Sequence, residues 1–187
     1  DPITKAYTVL YEFIDTLSGR SPTYTLAISA AGTIYGTTDF GGPLEFDGTL
    51  FQYDLTTDAF TVLVDFDSTT VSGFEKQVML AADGNLYGTA GNSGAFNDGL
   101  IFKYDLSANQ YSVVYDFDDD IGQVGDTPDD VMIETSPGLL YGTTEYGGIN
   151  ADGVLFSFDY TTHTYTKLFD FDDNLTGEFP QGKLLYG

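Results

Sequence analysis

The sequence repeats itself about every 52 residues, and this period constrains the fold more than any other feature. A seven-residue string that ends in Phe occurs four times, at residues 7–13, 60–66, 111–117 and 165–171. A Tyr-Gly-Thr string keeps the same phase at residues 34–42, 86–94 and 140–148, and a Gly-x-x-Phe string does so at 48–57, 99–108 and 153–162. Tandem units of this size bury their apolar surface by stacking on one another.

Each unit has the pattern of four β-strands. Apolar residues alternate or form short β-branched and aromatic runs, separated by turn signals such as Asp83-Gly84-Asn85. The first predicted strand lies before this turn, at residues 26–29, 78–81 and 131–134. The Tyr-Gly-Thr string, the Gly-x-x-Phe string and the seven-residue string supply the other three, and the last two form a hairpin. No segment shows a helical period.

A four-stranded antiparallel unit of this length has the size of a propeller blade. The predicted fold is therefore all-β, a β-propeller or propeller arc of about 3.5 repeats, with a linear β-solenoid or array as the alternative. We predict one repeat domain over 1–187, with units at 14–66, 67–117 and 118–171 and partial units at 1–13 and 172–187. An isolated fourth strand at Tyr7–Phe13 and an isolated first strand near Lys183–Gly187 would leave open edges for another strand.

The charge restricts the partners of the chain. It carries 29 acidic residues against six Lys and Arg, a formal net charge of −23, which repels phosphate backbones and argues against nucleic acid. No apolar run is long enough to span a bilayer, and no membrane insertion is expected. Cysteine is absent. Because the sequence starts at Asp1-Pro2, we expect a processed form or an excerpt of a longer chain.

The repeated strings resemble those of the Gloeobacter/Verrucomicrobia repeat family, over nearly the whole chain. The resemblance is carried by Asp83–Thr89, by Tyr35–Thr38 with Gly41-Gly42, and by Tyr141–Thr144 with Gly147-Gly148. The second copy departs from the pattern, with Thr89-Ala90 and Gly91–Gly94 in place of the paired Thr and Gly residues. The resemblance implies long, exported, repeat-rich proteins and no catalytic residues. Together with a Tyr-, Thr-, Gly- and Asp-rich composition, it predicts an extracellular or cell-surface location.

Acidic residues after each fourth strand form a candidate calcium site. In extended backbone, residues i and i+2 share a face, so paired carboxylates project together, and clusters of oxygen ligands suit Ca²⁺. The first loop also contains Gly73 and Glu75. The alternative is that these are solvated acidic turns. The candidate ligands are Asp65, Asp67, Asp116, Asp118, Asp120, Asp170 and Asp172.

Aromatic residues of the Tyr-Gly-Thr strings suggest either carbohydrate binding or packing. Tyr35, Tyr87 and Tyr141 recur at constant phase, as packing between units requires, with the adjacent Gly allowing close approach of the sheets. The loop residues Phe40 and Tyr146, beside the paired glycines, are the better candidates for contacting a glycan ligand.

Enzyme function is not expected. The carboxylate pairs recur in every unit, whereas a catalytic pair should be singular. The single histidine, His163, aligns with Asp58 and Asn109 in hairpin turns. Two functional classes remain. The first is a structural or adhesive module that assembles with copies of itself or within a longer parent chain, and the second is a carbohydrate-binding propeller.

Overall fold

The computed structural model describes residues 7–22, 24–43, 47–67, 76–128 and 130–185. These residues form three separate four-stranded antiparallel sheets, each a meander of consecutive strands. The first sheet contains β1 (Ala27–Ile28), β2 (Thr33–Thr37), β3 (Thr49–Asp54) and β4 (Ala59–Asp65). The second contains β5 (Lys76–Leu80), β6 (Leu86–Ala90), β7 (Leu100–Asp105) and β8 (Gln110–Asp116). The third contains β9 (Ile133–Ser136), β10 (Leu139–Thr144), β11 (Val154–Asp159) and β12 (Thr164–Asp170).

Among the described residues, helix is confined to α1 (Asp15–Ser18) and α2 (Asp119–Gly122), of four residues each. The all-β prediction and the four strands per unit are therefore confirmed. Within the described ranges, neither helix has the length or the apolar character needed to cross a membrane.

The hairpin between the third and fourth strands has the same turn in every sheet. Asp58, Asn109 and His163 share a left-handed backbone, with φ of 57°, 52° and 56°. Asp and Asn adopt this conformation more readily than most residues, and His163 occupies the same position. The prediction that His163 is a hairpin residue is confirmed.

A β-bulge in the same ladder gives each sheet two different apolar faces. The register between the third and fourth strands shifts at Leu50/Phe51, Ile101/Phe102 and Leu155/Phe156. The extra residue reverses the alternation within the fourth strand, so its two halves direct side chains to opposite sides. In β8, for example, Tyr111 packs toward the first sheet and Tyr115 toward the third.

We call the face directed toward the preceding unit the front face and the opposite one the rear face. The front faces carry Ile34, Phe51, Tyr53 and Phe60 in the first sheet, Leu86, Phe102, Tyr104 and Tyr111 in the second, and Leu140, Phe156, Phe158 and Tyr165 in the third. The rear faces carry Tyr35, Leu50, Val64 and Phe66, then Tyr87, Ile101, Tyr115 and Phe117, then Tyr141, Leu155, Phe169 and Phe171. Rear-to-front packing forms one core between the first two sheets and another between the last two.

The first strands converge on a shared cavity of about 470 Å³. It is lined by residues 25–28, 78–80, 131–134 and 183–185. Sheets that surround a common cavity with their first strands have the arrangement of propeller blades, which favours a propeller arc over the linear array.

The two partial units do not form the strands predicted for them. Residues 7–14 and 183–185 have no strand structure, and Tyr186 and Gly187 lie outside the described residues. A strand is defined by its ladder to a neighbour, and neither segment has one. Residues 183–185 nevertheless line the central cavity beside the first strands of the three sheets.

The constant phase of the repeated Phe predicts that Phe13, Phe66, Phe117 and Phe171 are all buried. This is confirmed at the two inner positions and wrong at the two outer ones. Phe66 and Phe117 are completely buried, whereas Phe13 and Phe171 are only half-buried. Phe66 packs against Phe102 of the next sheet, and Phe117 packs against Phe156. Phe171 has no following sheet to cover it within the described residues, and Phe13 belongs to no sheet.

Candidate functional site

The rear face of the third sheet is an apolar surface at positions that are otherwise used for packing between sheets. It consists of Tyr141 on β10, Leu155 on β11, Phe169 on β12, and Phe171 just after β12. The β10–β11–β12 ladders hold these side chains side by side. Their constant phase in the repeat is why they share one face.

Equivalent residues in the first two sheets are covered by the next sheet. Leu50 and Ile101 are fully buried, whereas Leu155 is only half-buried. Val64 and Tyr115 are half-buried, whereas Phe169 is 43% exposed. The rear face of the third sheet is thus an open copy of a surface that is covered twice within the same chain.

The aromatic pair on this face has the geometry that it has inside the core. The Phe169 and Phe171 rings lie edge to face at 5.3 Å between centroids and 83°. Tyr115 and Phe117 lie at 5.0 Å and 89° in the interface between the second and third sheets. Because the open pair already has the interface arrangement, docking another sheet requires little rearrangement.

The electrostatics of the covered copy reflect its burial. Desolvation, together with the nearby Asp118 carboxylate, raises the pKa of Tyr115 to about 12. Phe169, at the same position of the third sheet, has no hydroxyl group and therefore no titratable proton. At the strand end, Asp170 Oδ1 lies 2.8 Å from Lys167 Nζ, an ion pair at the edge of the face.

The first carboxylate of each predicted calcium pair braces the loop between the second and third strands of its own sheet. Asp116 Oδ1 accepts a hydrogen bond from Ala95 N at 3.1 Å, and Asp170 Oδ1 accepts one from Ile149 N at 2.8 Å. In the first sheet, a Cβ on Gly42 would lie 2.2 Å from Asp65 Oδ1. These carboxylates therefore lie against backbone in all three units.

The remaining predicted ligands are less enclosed. Asp67, Asp118 and Asp172 are half-buried and Asp120 is exposed. Asp172 Oδ1 accepts a hydrogen bond from Asn174 N at 2.9 Å, and Gly73 and Glu75 lie outside the described residues. In the part of the chain that the structure describes, no group of three or more acidic or histidine side chains is placed to hold a metal ion. Calcium binding stays a prediction.

The two loop aromatics predicted to contact a ligand both have neighbours. The Arg20 guanidinium lies over the Phe40 ring, 5.2 Å from its centroid. Tyr146 is 42% exposed, and its ring lies 5.2 Å from that of Phe179. The packing interpretation of the Tyr-Gly-Thr tyrosines fits Tyr35 and Tyr87, which are buried, whereas Tyr141 lies on the open rear face.

Sequence reasoning did not single out the open rear face. Tyr141 and Phe171 were recognised as repeated residues, but Leu155 and Phe169 were not recognised as part of a surface. The signal was present, because all four keep the phase of residues that the next sheet covers in the other units. Knowing which copy is uncovered required the arrangement of the sheets.

The fold and this surface define a class of protein, namely a repeat domain of β-propeller type with three blades in the described residues. The profile of the Gloeobacter/Verrucomicrobia repeat family matches residues 1–129. The chain belongs to this family. No curated protein matches the sequence at a significant level.

Two solved structures support the fold at low sequence identity, and a third has a weaker similarity on which nothing rests. TolB from Acinetobacter baumannii, a propeller-type protein, has a TM-score of 0.60 and 14% identity, over 88% of this chain and 35% of the TolB chain. A puromycin-hydrolyzing peptidase of Mycobacterium tuberculosis has a TM-score of 0.51 and 12% identity, over 77% of this chain and 20% of the peptidase. A chain of a nidogen/laminin complex has a TM-score of 0.49 and 14% identity, over 76% of this chain and 46% of the matched chain. The chain spans about a third of the length of TolB.

Proposed function

We propose that this chain is a non-enzymatic assembly module that joins other units of the same repeat through the open rear face of its third sheet. The observation that carries the proposal is the pattern of exposure at equivalent positions. Each of the four rear-face residues is more exposed in the third sheet than its equivalents are in the first two. An apolar surface of this kind marks a site of protein interaction.

The identity of the partner follows from the packing within the chain. The rear faces of the first two sheets are covered by the front face of the next unit, in which Phe102 and Phe156 contact Phe66 and Phe117. A further front face of the same repeat is therefore the surface that fits. We place the module outside the cell or at its surface, a proposal supported by the composition and by the exported proteins that the repeat family implies.

The test is to place a charge on the rear face. Phe169→Asp should weaken self-association by at least tenfold, because a charged carboxylate would be desolvated in the contact. Sedimentation velocity over a range of protein concentrations measures the effect. Val113→Asp is the matched control, since Val113 is 40% exposed on β8, in a sheet that is already covered on both faces.

The control should associate as the native chain does, and both variants should keep the native circular dichroism spectrum. Association that Phe169→Asp leaves unchanged would rule out the rear face as the assembly site.

A carbohydrate-binding propeller is the second candidate. Its support is the pair formed by Tyr146 and Phe179, which are 42% and 37% exposed and lie side by side near the paired glycines. Exposed aromatic faces of this kind stack on sugar rings. Binding on a glycan array that Tyr146→Ala abolishes, and that Phe96→Ala preserves, would favour this function. Phe96 is an exposed aromatic residue in the corresponding loop of the second sheet.

A further inference from the structure

We propose that residues 7–13, which we call the leading segment, are a removable cap on the front face of the first sheet, displaced when the third sheet of a second copy docks there. The inference rests on the proposed function, because the rear face of the third sheet is the surface that replaces the cap. It adds the surface that the rear face contacts on the other copy, which is the front face of the first sheet. It also adds the segment that controls access to this surface.

The leading segment contacts the first sheet as a fourth strand contacts the sheet after it. Tyr11 stacks on Phe60 with ring centroids 3.9 Å apart and 7° between the planes. In the interface between the second and third sheets, Tyr115 stacks on Tyr165 at 4.5 Å and 6°. Tyr11 and Tyr115 occupy the same position of the seven-residue string.

The second aromatic contact repeats in the same way. Phe13 lies edge to face on Phe51 at 5.2 Å and 69°. Phe117 lies on Phe156 at 5.5 Å and 68°. The Tyr11 and Phe13 side chains therefore occupy the positions that the fourth strand of a docked sheet would use.

The leading segment differs from a true fourth strand in its backbone. β8 is tied to β7 by an antiparallel ladder along its length. Within the described ranges, no hydrogen bond joins residues 7–13 to any other segment. Side-chain packing alone holds the cap, so its release does not require a ladder to be broken.

The cap fills only part of the front face. A groove of about 340 Å³ remains between the leading segment and the first sheet, lined by Leu26, Ile34 and Tyr53 among others. In the two internal interfaces, the rear side chains of a whole sheet occupy the corresponding space.

Docking and capping exclude each other because they use the same ring positions. By equivalence within the repeat, Phe171 of one copy takes the place of Phe13 on Phe51 of the other. Phe169 takes the place of Tyr11 on Phe60. Tyr141 and Leu155 then enter the groove. The second copy thus covers more apolar surface than the cap does.

The experiment uses two double variants of the full chain. One weakens the cap, and the other fixes it covalently. The double variant Tyr11→Ala, Phe13→Ala removes the capping rings and should shift the association midpoint to at least tenfold lower concentration. The double variant Tyr11→Cys, Phe60→Cys provides a reducible crosslink in a chain that has no other cysteine. Its oxidised form, verified by mass spectrometry, should stay monomeric where the native chain associates, and reductant should restore association.

The outcomes separate this inference from the proposed function. If Phe169→Asp abolishes association but loosening the cap weakens it, the rear face is correct and the leading segment is part of the docking surface, which overturns the cap. If the oxidised crosslinked form associates as the native chain does, the cap is also overturned. If association depends on neither Phe169 nor the cap, both proposals fail. The crosslink decides the question if the alanine variant does not fold.

Discussion

The glycine of each Tyr-Gly-Thr string has a role that differs from the one expected. Gly36, Gly88 and Gly142 lie directly across from Phe51, Phe102 and Phe156 in the ladder of their own sheet. A Cβ on Gly88 would lie 2.2 Å from Phe102 Cζ. The glycine therefore makes room for an aromatic ring on the neighbouring strand, rather than allowing two sheets to approach.

Gly88→Ala should be severely destabilising for this reason. The new Cβ would also lie 2.2 Å from the backbone oxygen of Gln77, which cannot move without breaking the sheet. We expect a loss of about 3 kcal/mol in the free energy of unfolding, the upper end of the usual cost of overpacking. Urea denaturation measures it.

Gly84→Ala is the control for this substitution. A Cβ there meets nothing within 4 Å, and only its left-handed φ of 81° is unfavourable, so we expect a loss of about 1 kcal/mol. Equal losses at the two positions would contradict the role assigned to Gly88.

Asp126 carries a charge that opposes folding. Burial raises its pKa, the neighbouring Asp98 and Asp119 carboxylates raise it further, and the hydrogen bond from Thr127 partly offsets them. A raised folded pKa means that the ionised group costs stability above that pKa, and the cost disappears below the unfolded value of about 3.9.

Asp126→Asn should accordingly stabilise the protein at pH 7, and the gain should vanish as the pH falls below about 4. The Asn side-chain oxygen can still accept the Thr127 hydrogen bond. Thermal unfolding of both proteins across this pH range tests the prediction. Asp120→Asn removes the same charge from an exposed residue and should produce a smaller change. A destabilised Asp126→Asn protein at neutral pH would show that the charge is favourable.

At the scale of the elements, one carboxylate connects two sheets. Glu134 on β9 accepts hydrogen bonds from Ala82 N of the second sheet at 2.7 Å and from the Tyr160 hydroxyl at 2.7 Å. Tyr160 also stacks on Tyr87, with ring centroids 4.8 Å apart. This contact fixes the third sheet against the second at the end opposite the acidic loops.

Tyr160→Phe should lower the free energy of unfolding by about 2 kcal/mol, because it removes a hydrogen bond to a charged acceptor. The ring stacking is retained. Tyr104→Phe is the matched control, since the Tyr104 hydroxyl has no hydrogen-bond partner within the described ranges. Chemical denaturation should show little change in the free energy of unfolding of the control. A similar loss in both variants would contradict a stabilising hydrogen bond from the Tyr160 hydroxyl.

The strands were predictable because their signal is local. Alternating apolar residues and turn residues identify all twelve strands of the described part of the chain, with small shifts such as β9 at Ile133–Ser136 instead of 131–134. Residues 7–13 have the same sequence pattern as β8 but form no strand, because a ladder depends on a partner that the local sequence does not specify.

The candidate site was predictable only in part. Phe171 belongs to a repeated string, but its exposure depends on whether another sheet follows. The acidic pairs show the opposite limit. Their spacing is the same for a calcium site and for carboxylates that hold a loop, and the hydrogen bonds from Ala95 N to Asp116 and from Ile149 N to Asp170 are not visible in the sequence.

At the scale of the whole molecule, a net charge of −23 acts against any contact between copies. The proposed contact is apolar, so salt should strengthen it by screening the repulsion. Raising the ionic strength from about 0.1 M to about 1 M shortens the Debye length from about 10 Å to about 3 Å. We expect association at lower protein concentration in high salt, measured by sedimentation velocity. Phe169→Asp should not show this gain, and dissociation by salt would indicate an ion-paired contact instead.

The bulge in each fourth strand has a consequence for symmetry. Because it makes the front and rear faces of a sheet different, a contact between the two faces is heterologous, and no two-fold axis relates the copies that make it. A stack of such copies has a direction, with a front face at one end and a rear face at the other. Such a contact allows odd and even numbers of copies equally. Copies can be added until the curvature of the stack brings its two ends together.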